Sequence, residues 1–329
     1  MTEPQIIVRN LTKTYRVPER QPGLRASLTS MLHRTYTDVP AVRDISFSIQ
    51  PGEMVGFIGP NGAGKTTTLK MLAGLLHPSS GEASVMSHTP WQRKPEYLRH
   101  ISMILGNKSQ MLWDIPPLDT FHVLGEIYRV PAHELKCALD ELVDLLEMRD
   151  LLTKPVRNFS LGERMKCELV AGLLHHPDVL FLDEPTLGLD VSMQNRLRRF
   201  LAEYNRRRGV TMILTSHYMA DVVALCPRVI LIHHGKLLYD GELRELAQQL
   251  APFKLIRVAT HSENHFPSEL PFGAEIIERV NGQVTLRASL ANAPAVTAHL
   301  LNTLPVADLT VEDPPIETVI DQIYQEGNV

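Results

Sequence analysis

Cysteine is scarce: the 329 residues hold three, Cys137, Cys167 and Cys226, far apart and in apolar or helix-like surroundings. That spacing excludes a disulfide-stapled scaffold and a Cys-based metal site, and leads us to expect buried, reduced thiols in the cytoplasm. Missing too is any apolar run long enough to cross a bilayer, so membrane spans would have to come from other chains. Met1-Thr2-Glu3-Pro4 is polar and shows no signal-peptide pattern. Charge of one sign is not in excess either. A net charge of −4 removes support for nucleic acid as the main partner. There is neither an internal repeat nor a low-complexity segment. What remains is ordinary for a globular protein, 44% hydrophobic and 21% charged, with length for one large domain and a smaller one. Residues 241–329 carry 5 Lys/Arg against 12 Asp/Glu, which leaves residues 1–240 at +3. The shift predicts a boundary near 240 and makes the tail a poor surface for anionic lipid.

The most informative stretch is Gly59-Pro60-Asn61-Gly62-Ala63-Gly64-Lys65-Thr66-Thr67, a full match to G-x-x-x-x-G-K-[ST]. It follows the apolar run Met54–Ile58 and precedes a helix-like segment from Thr66 to Leu76, the strand–loop–helix context that gives the pattern meaning. The glycines let the backbone wrap closely, so that successive N–H groups point at phosphate oxygens beside a helix N-terminus. Lys65 would reach the β- and γ-phosphates, and the Thr66 hydroxyl would hold Mg²⁺. The chain is therefore expected to bind a nucleoside triphosphate.

Strands are predicted at 5–9 and 45–49, the latter strictly alternating, and at 179–182 and 211–215, which read as buried parallel strands. A hairpin is expected from 229–232 and 236–239, turning at His234-Gly235. Residues 116–151 and 192–207 read as helical, the first pattern interrupted at Lys154-Pro155. Between Tyr15 and Ala41 an insertion (about 18–40) places Leu24, Leu28, Met31 and Leu32 at helical spacing, as in a small amphipathic helix. Alternation of strands and helices implies a mixed sheet flanked by helices. Beyond 240, strands at 254–260, 274–280, 283–288 and 307–311, with helices at 294–301 and 316–324, describe a small α+β domain.

Four further segments carry chemistry. Leu180–Glu184 is an apolar strand ending in two acids: Asp183 is placed to bind Mg²⁺, and Glu184 is the candidate general base. In Phe159-Ser160-Leu161-Gly162-Glu163, Ser160 and Glu163 have capping-box spacing, and such a helix tip can also meet phosphate. Leu187-Gly188-Leu189-Asp190 forms a turn. His217 follows the strand 211–215, where its imidazole can contact a γ-phosphate.

Taken together these segments resemble the nucleotide-binding subunit of ATP-binding cassette (ABC) transporters, over about residues 5–240, and most of all the ABC-2-type exporters. The resemblance implies an α/β fold: a P-loop NTPase core, a helical subdomain at about 107–170, and the accessory domain 241–329. Ser160, Leu161, Gly162 and Glu163 correspond to the signature motif, with Leu161 where the family has glycine, and Asp190 falls in its D-loop. Tyr15 would stack on adenine. A glutamine that couples the γ-phosphate to the membrane partner is also implied; counting back from Trp113-Asp114 favours Asn107, while residue type favours Gln110, and either amide could ligate Mg²⁺. Two copies would face head to tail, the signature of one capping ATP held by Lys65 of the other. Partners would be transmembrane permease subunits, placing the chain at the cytoplasmic face of the membrane. Trp113, Pro116 and Pro117 read either as a docking patch or as packing under their own loop. The rival class, a non-transport ABC ATPase serving a macromolecular assembly, is disfavoured: the 118 residues from Lys65 to Asp183 leave no room for a long coiled coil.

Overall fold

A computed structural model of the chain describes residues 3–18, 36–106, 108–216, 218–260, 270–280, 282–316 and 320. The chain divides into two compact units, 1–240 and 241–329. The first runs through β1 (Ile6–Pro18), β2 (Tyr36–Ile49), β3 (Met54–Ile58), α1 (Lys65–Leu72), β4 (Ser80–Val85), α2 (Pro95–Leu98) and β5 (Ile101–Leu105). It continues with α3 (Pro117–Tyr128), α4 (Ala132–Leu145), α5 (Leu161–Leu173), β6 (Val179–Asp183), α6 (Val191–Arg208), β7 (Thr211–Thr215), α7 (Met219–Leu225), β8 (Arg228–His233) and β9 (Lys236–Glu242).

Two sheets share one core. A six-stranded sheet has the order β5-β6-β7-β3-β8-β9, with parallel pairing from β5 to β8, and a three-stranded antiparallel sheet has the order β2-β1-β4. Every residue of β3, β6 and β7 is buried, as expected of parallel strands covered on both faces. Leu69, Met71 and Leu72 of α1 lie in the same cluster as Ile6, Ile45 and Phe47 from the antiparallel sheet and Val55, Phe181 and Ile213 from the parallel one. Full burial contributes roughly 1.5–3 kcal/mol for each such side chain, which fixes α1 between the sheets. The start of α1 is consequently held at the carboxyl end of β3.

Three local expectations need correction. Strands β1 and β2 do not stop near residues 9 and 45 but continue as an antiparallel ribbon through Tyr15↔Val39, Arg16↔Asp38 and Pro18↔Tyr36. The extension is exposed on both faces, so it lacks the alternation that marks a half-buried strand, although Thr14, Tyr15 and Val17 favour extended backbone. The proposed helix residues Leu24, Leu28, Met31 and Leu32 lie outside the described residues. Secondly, residues 116–151 form two helices rather than one: Arg129 takes a left-handed φ of 57° as the C-cap of α3, and Pro131 precedes α4. Thirdly, Cys167 and Cys226 are buried but Cys137 is exposed, on the outer face of α4.

The second unit comprises α8 (Leu243–Leu250), β10 (Phe253–Thr260), β11 (Glu275–Val280), β12 (Gln283–Ser289), α9 (Ala293–Thr303) and β13 (Val306–Glu312). Its antiparallel sheet has the order β11-β12-β10-β13. Ile256, Val258, Val284 and Leu286 pack against Val296 and Leu300 of α9, leaving the alternate strand positions outward. The helix expected at 316–324 falls largely outside the described residues.

Candidate functional site

Residues 59–67 fold as a loop leading into α1. Gly62 and Gly64 adopt φ of 78° and 108°, a region that L side chains rarely enter. At Gly64 a Cβ would lie 2.4 Å from the Ala41 carbonyl oxygen of the ribbon, and at Gly59 one would lie 2.2 Å from the Ile232 carbonyl oxygen of β8. Only glycine lets the loop lie this close to its neighbours. The Gly235 N–H donates to the Ala63 carbonyl at 3.0 Å, so the β8–β9 turn braces the loop from behind. Tyr15 pairs with Val39 on the ribbon, two residues from the Ala41 contact, and its ring is partly exposed with the Lys13 ammonium 5.4 Å from the centroid.

The Lys65 ammonium is buried and donates to the carbonyls of Gly59 at 2.5 Å and Pro60 at 3.2 Å. Burial lowers its pKa, with Glu184 and then Asp183 acting in the opposite sense. Thr66 lies in the first turn of α1, and its hydroxyl lies 2.9 and 2.8 Å from the two Asp183 carboxylate oxygens. That contact spans β7, which stands between β3 and β6.

Asp183 ends β6 and Glu184 follows it. Across the sheet, Asp183 is level with Thr215 of β7 and Leu105 of β5. The Thr215 hydroxyl donates to Asp183 Oδ1 at 2.8 Å, and the Glu184 N–H reaches the Thr215 carbonyl at 3.0 Å and its hydroxyl at 3.1 Å. Glu184 sits at φ 55°, a strained conformation for a residue other than glycine. Beside it Gly106 donates its N–H to the Asp183 carbonyl at 2.9 Å. A Cβ on Gly106 would lie 2.1 Å from the Glu184 carbonyl oxygen. Thr66, Lys70, Leu105, Lys108, Asp183, Glu184 and Leu187 line a cavity of about 110 Å³ at this end of the loop.

Lys65, Thr66, Asp183 and Glu184 are thus assembled in one place. Ser160–Glu163 are not: among the described residues, no hydrogen bond joins them to 59–67 of the same chain. Ser160 instead caps α5 in a reciprocal capping box with Glu163, as the spacing predicts. Leu161 is exposed and rests over Gly188, where a Cβ would lie 2.9 Å from its side chain. Asp190 caps α6 by accepting the Met193 N–H at 3.0 Å. Asn107 and His217 lie outside the described residues. Gln110 is exposed, and its N–H donates to the Glu168 carboxylate at 2.9 and 3.0 Å. Trp113 is half exposed, with the Arg164 guanidinium 4.3 Å from its ring centroid, and Pro117 is buried.

Sequence reasoning missed Thr215, Lys108 and Asp221. The buried Asp221 accepts hydrogen bonds from Arg198 Nε at 2.6 Å, Ser216 Oγ at 2.6 Å and the Thr186 hydroxyl. It thereby ties the segment after Glu184 to the strand end that precedes residue 217. A threonine at the end of a buried strand, next to an acid-ended strand, was the one available signal for Thr215.

The family model described as ABC transporter matches residues 42–187, and one described as EvrA-like ABC transporter, C-terminal domain, matches residues 252–312. The ABC transporter ATP-binding protein NatA of Bacillus subtilis is 38% identical over 208 residues, 63% of this chain and 84% of that one. The chain belongs to the ABC transporter ATP-binding proteins. The Nod factor export ATP-binding protein I of Burkholderia thailandensis is 33% identical over 273 residues, 82% of this chain and 87% of its own length. Among solved structures, an ATP-binding subunit of an ABC transporter superposes with a TM-score of 0.62 at 23% identity, covering 74% of this chain and 92% of that one. The dimeric post-hydrolysis state of the cassette MJ0796, bound to ADP and Pi, gives 0.60 at 20% identity, covering 73% and 99%. The P-loop NTPase fold expected of an ABC ATPase is therefore present, and as an ABC transporter subunit the cassette binds and hydrolyses ATP.

Proposed function

We propose that the cassette powers export through a separate membrane subunit, with two copies closing head to tail around ATP at the cytoplasmic face of the membrane. Support for export comes from relatives named for Nod factor export and bacitracin transport. No described helix is long and apolar enough to cross a membrane, which suits a chain whose translocation path is built by others. Exposed Leu112, Trp113, Val123 and Ile127 offer that partner an apolar face. These relatives favour transport over the non-transport alternative.

The observation that carries the site assignment is the Thr66–Asp183–Thr215 hydrogen-bonded set beside the phosphate loop. Its donor set, a hydroxyl next to a carboxylate, is all oxygen and suits a hard divalent cation, so Thr66 and Asp183 would hold Mg²⁺. The ion would neutralise charge on the phosphates. The N–H groups of residues 59–67 cradle the phosphates, and Lys65 transfers its hydrogen bonds from the Gly59 and Pro60 carbonyls to phosphate oxygens. Tyr15 stacks on adenine. Glu184 accepts the proton of the attacking water, and His217 donates to the γ-phosphate. Ser160–Glu163 cap the triphosphate of the partner copy, with Asp190 beside the joint. Coupling falls to Asn107 rather than Gln110. Its neighbour Gly106 bonds the Asp183 backbone and its neighbour Lys108 lines the cavity, whereas the Gln110 N–H is turned to Glu168.

Glu184→Gln tests the core of this account. Phosphate release should fall at least a hundred-fold, about 2.7 kcal/mol on the barrier. Nucleotide affinity should stay within three-fold, and ATP should now yield a stable dimer by light scattering. Normal turnover would remove Glu184 as the base, and a monomer under saturating ATP would remove the paired closure.

A further inference from the structure

Glu168 is a carboxylate that the chemistry above does not use. It lies on α5, two turns beyond the Ser160 cap, and is only 3% exposed. Its partners come from 58 and 59 residues earlier in the chain: Ser109 Oγ donates to Oε1 at 2.5 Å, and the Gln110 N–H donates to Oε1 at 2.9 Å and Oε2 at 3.0 Å. Ser109 Oγ in turn accepts the Met111 N–H at 3.1 Å. Four residues before Glu168, and so on the same face of α5, the Arg164 guanidinium stacks over Trp113. The segment 108–113 is thus pinned at both ends to the helix that begins at Ser160. At its near end the segment carries Lys108 into the cavity shared with Thr66, Asp183 and Glu184.

We infer that Glu168 is a positioning residue for ATP hydrolysis: by gripping Ser109 and Gln110 it holds Lys108 at the phosphate end of the site and makes that segment move with the signature helix. The physical reason is the cost of separation. Stripping a buried carboxylate of its hydrogen bonds from Ser109 and Gln110 is costly, so the segment is favoured to follow the helix. Burial already raises the Glu168 pKa, while the bonds from Ser109 and from the Gln110 backbone N–H oppose that shift. Any tilt of α5 that brings Ser160 toward a partner's nucleotide is then transmitted to Lys108 beside the chain's own nucleotide. The inference rests on the placement of phosphate next to Lys65, Thr66 and Asp183, which fails separately if Lys65→Ala binds ATP normally.

The test uses the full chain carrying Trp91→Phe, which leaves Trp113 as its one tryptophan, since the sequence has two. Glu168→Ala, Glu168→Gln and Ser109→Ala are compared for fluorescent-ATP affinity, steady-state turnover, and iodide quenching of Trp113. In Glu168→Ala, affinity should stay within two-fold, kcat should fall at least ten-fold, and the quenching constant should at least double as the segment loosens. Glu168→Gln keeps an oxygen facing both donors and should restore kcat to within three-fold. Ser109→Ala, at an exposed position that does not threaten folding, should lose three-fold in kcat. Unchanged kcat in both alanine variants would overturn the inference. So would a loss in kcat matched by an equal loss in affinity, or failure of Glu168→Gln to recover turnover.

Discussion

Replacing Thr215 with valine removes one hydroxyl and almost no volume, so its consequences follow from hydrogen bonds alone. Thr215 is fully buried, and its Oγ1 donates to Asp183 Oδ1 at 2.8 Å while lying 3.1 Å from the Glu184 N–H. A hydrogen bond to a charged group contributes about 1.5–3 kcal/mol. Asp183 keeps its contacts with Thr66, and the Glu184 N–H keeps the Thr215 carbonyl at 3.0 Å, so the loss should sit near the middle of that interval. Taking about 2 kcal/mol, and roughly 2–4 °C per kcal/mol for a domain of this size, the melting temperature should fall by about 4–8 °C. Both carboxylates at the end of β6 lose a side anchor, so kcat should fall at least ten-fold, about 1.4 kcal/mol on the barrier, while ATP affinity stays within three-fold. Scanning fluorimetry and a phosphate-release assay read the two effects, and Thr215→Ser should recover most of the activity. A valine variant that melts and turns over like the wild type would refute the idea that β7 sets the geometry of Asp183 and Glu184.

Lys65→Ala should weaken ATP binding at least ten-fold in a fluorescent-nucleotide titration; unchanged affinity would remove Lys65 from the phosphate site. A pH effect follows from His175, which stacks on Tyr128 at 3.8 Å, has Nε2 3.2 Å from the Ile101 carbonyl, and is pushed by burial to a pKa of about 4. Between that value and the ordinary 6.5 or so, the unfolded chain binds a proton that the folded one rejects. Stability therefore falls as pH drops from about 6.5 to about 4, by up to roughly 3 kcal/mol. His175→Phe keeps a ring against Tyr128 without the titration, so its melting temperature should decline less over that interval; identical slopes would contradict the assignment.

The glycine-rich loop at 59–67 was legible because its requirements are local: glycines at positive φ, a lysine and a threonine at a helix start, all within nine residues. The capping box at Ser160 and Glu163 was legible for the same reason, as was the second unit's alternation of strands and helix. The ribbon formed by β1 and β2 was read too short because its outer half is exposed on both faces and shows no hydrophobic alternation. The break between α3 and α4 was hidden within a continuous helical periodicity.

What the sequence by itself determined, then, is a glycine-rich loop opening a helix, an acid-ended strand and a capped helix, each specified by residues a few positions apart. Only the tertiary structure decided how they meet. Thr66 reaches Asp183 across 117 positions because β7 alone separates β3 from β6. Thr215 becomes the anchor of the acids because β7 pairs with β6 in the register Asp183↔Thr215. Strand order and register arise from how whole elements pack around a shared core, and periodicity within one element carries no record of its neighbours.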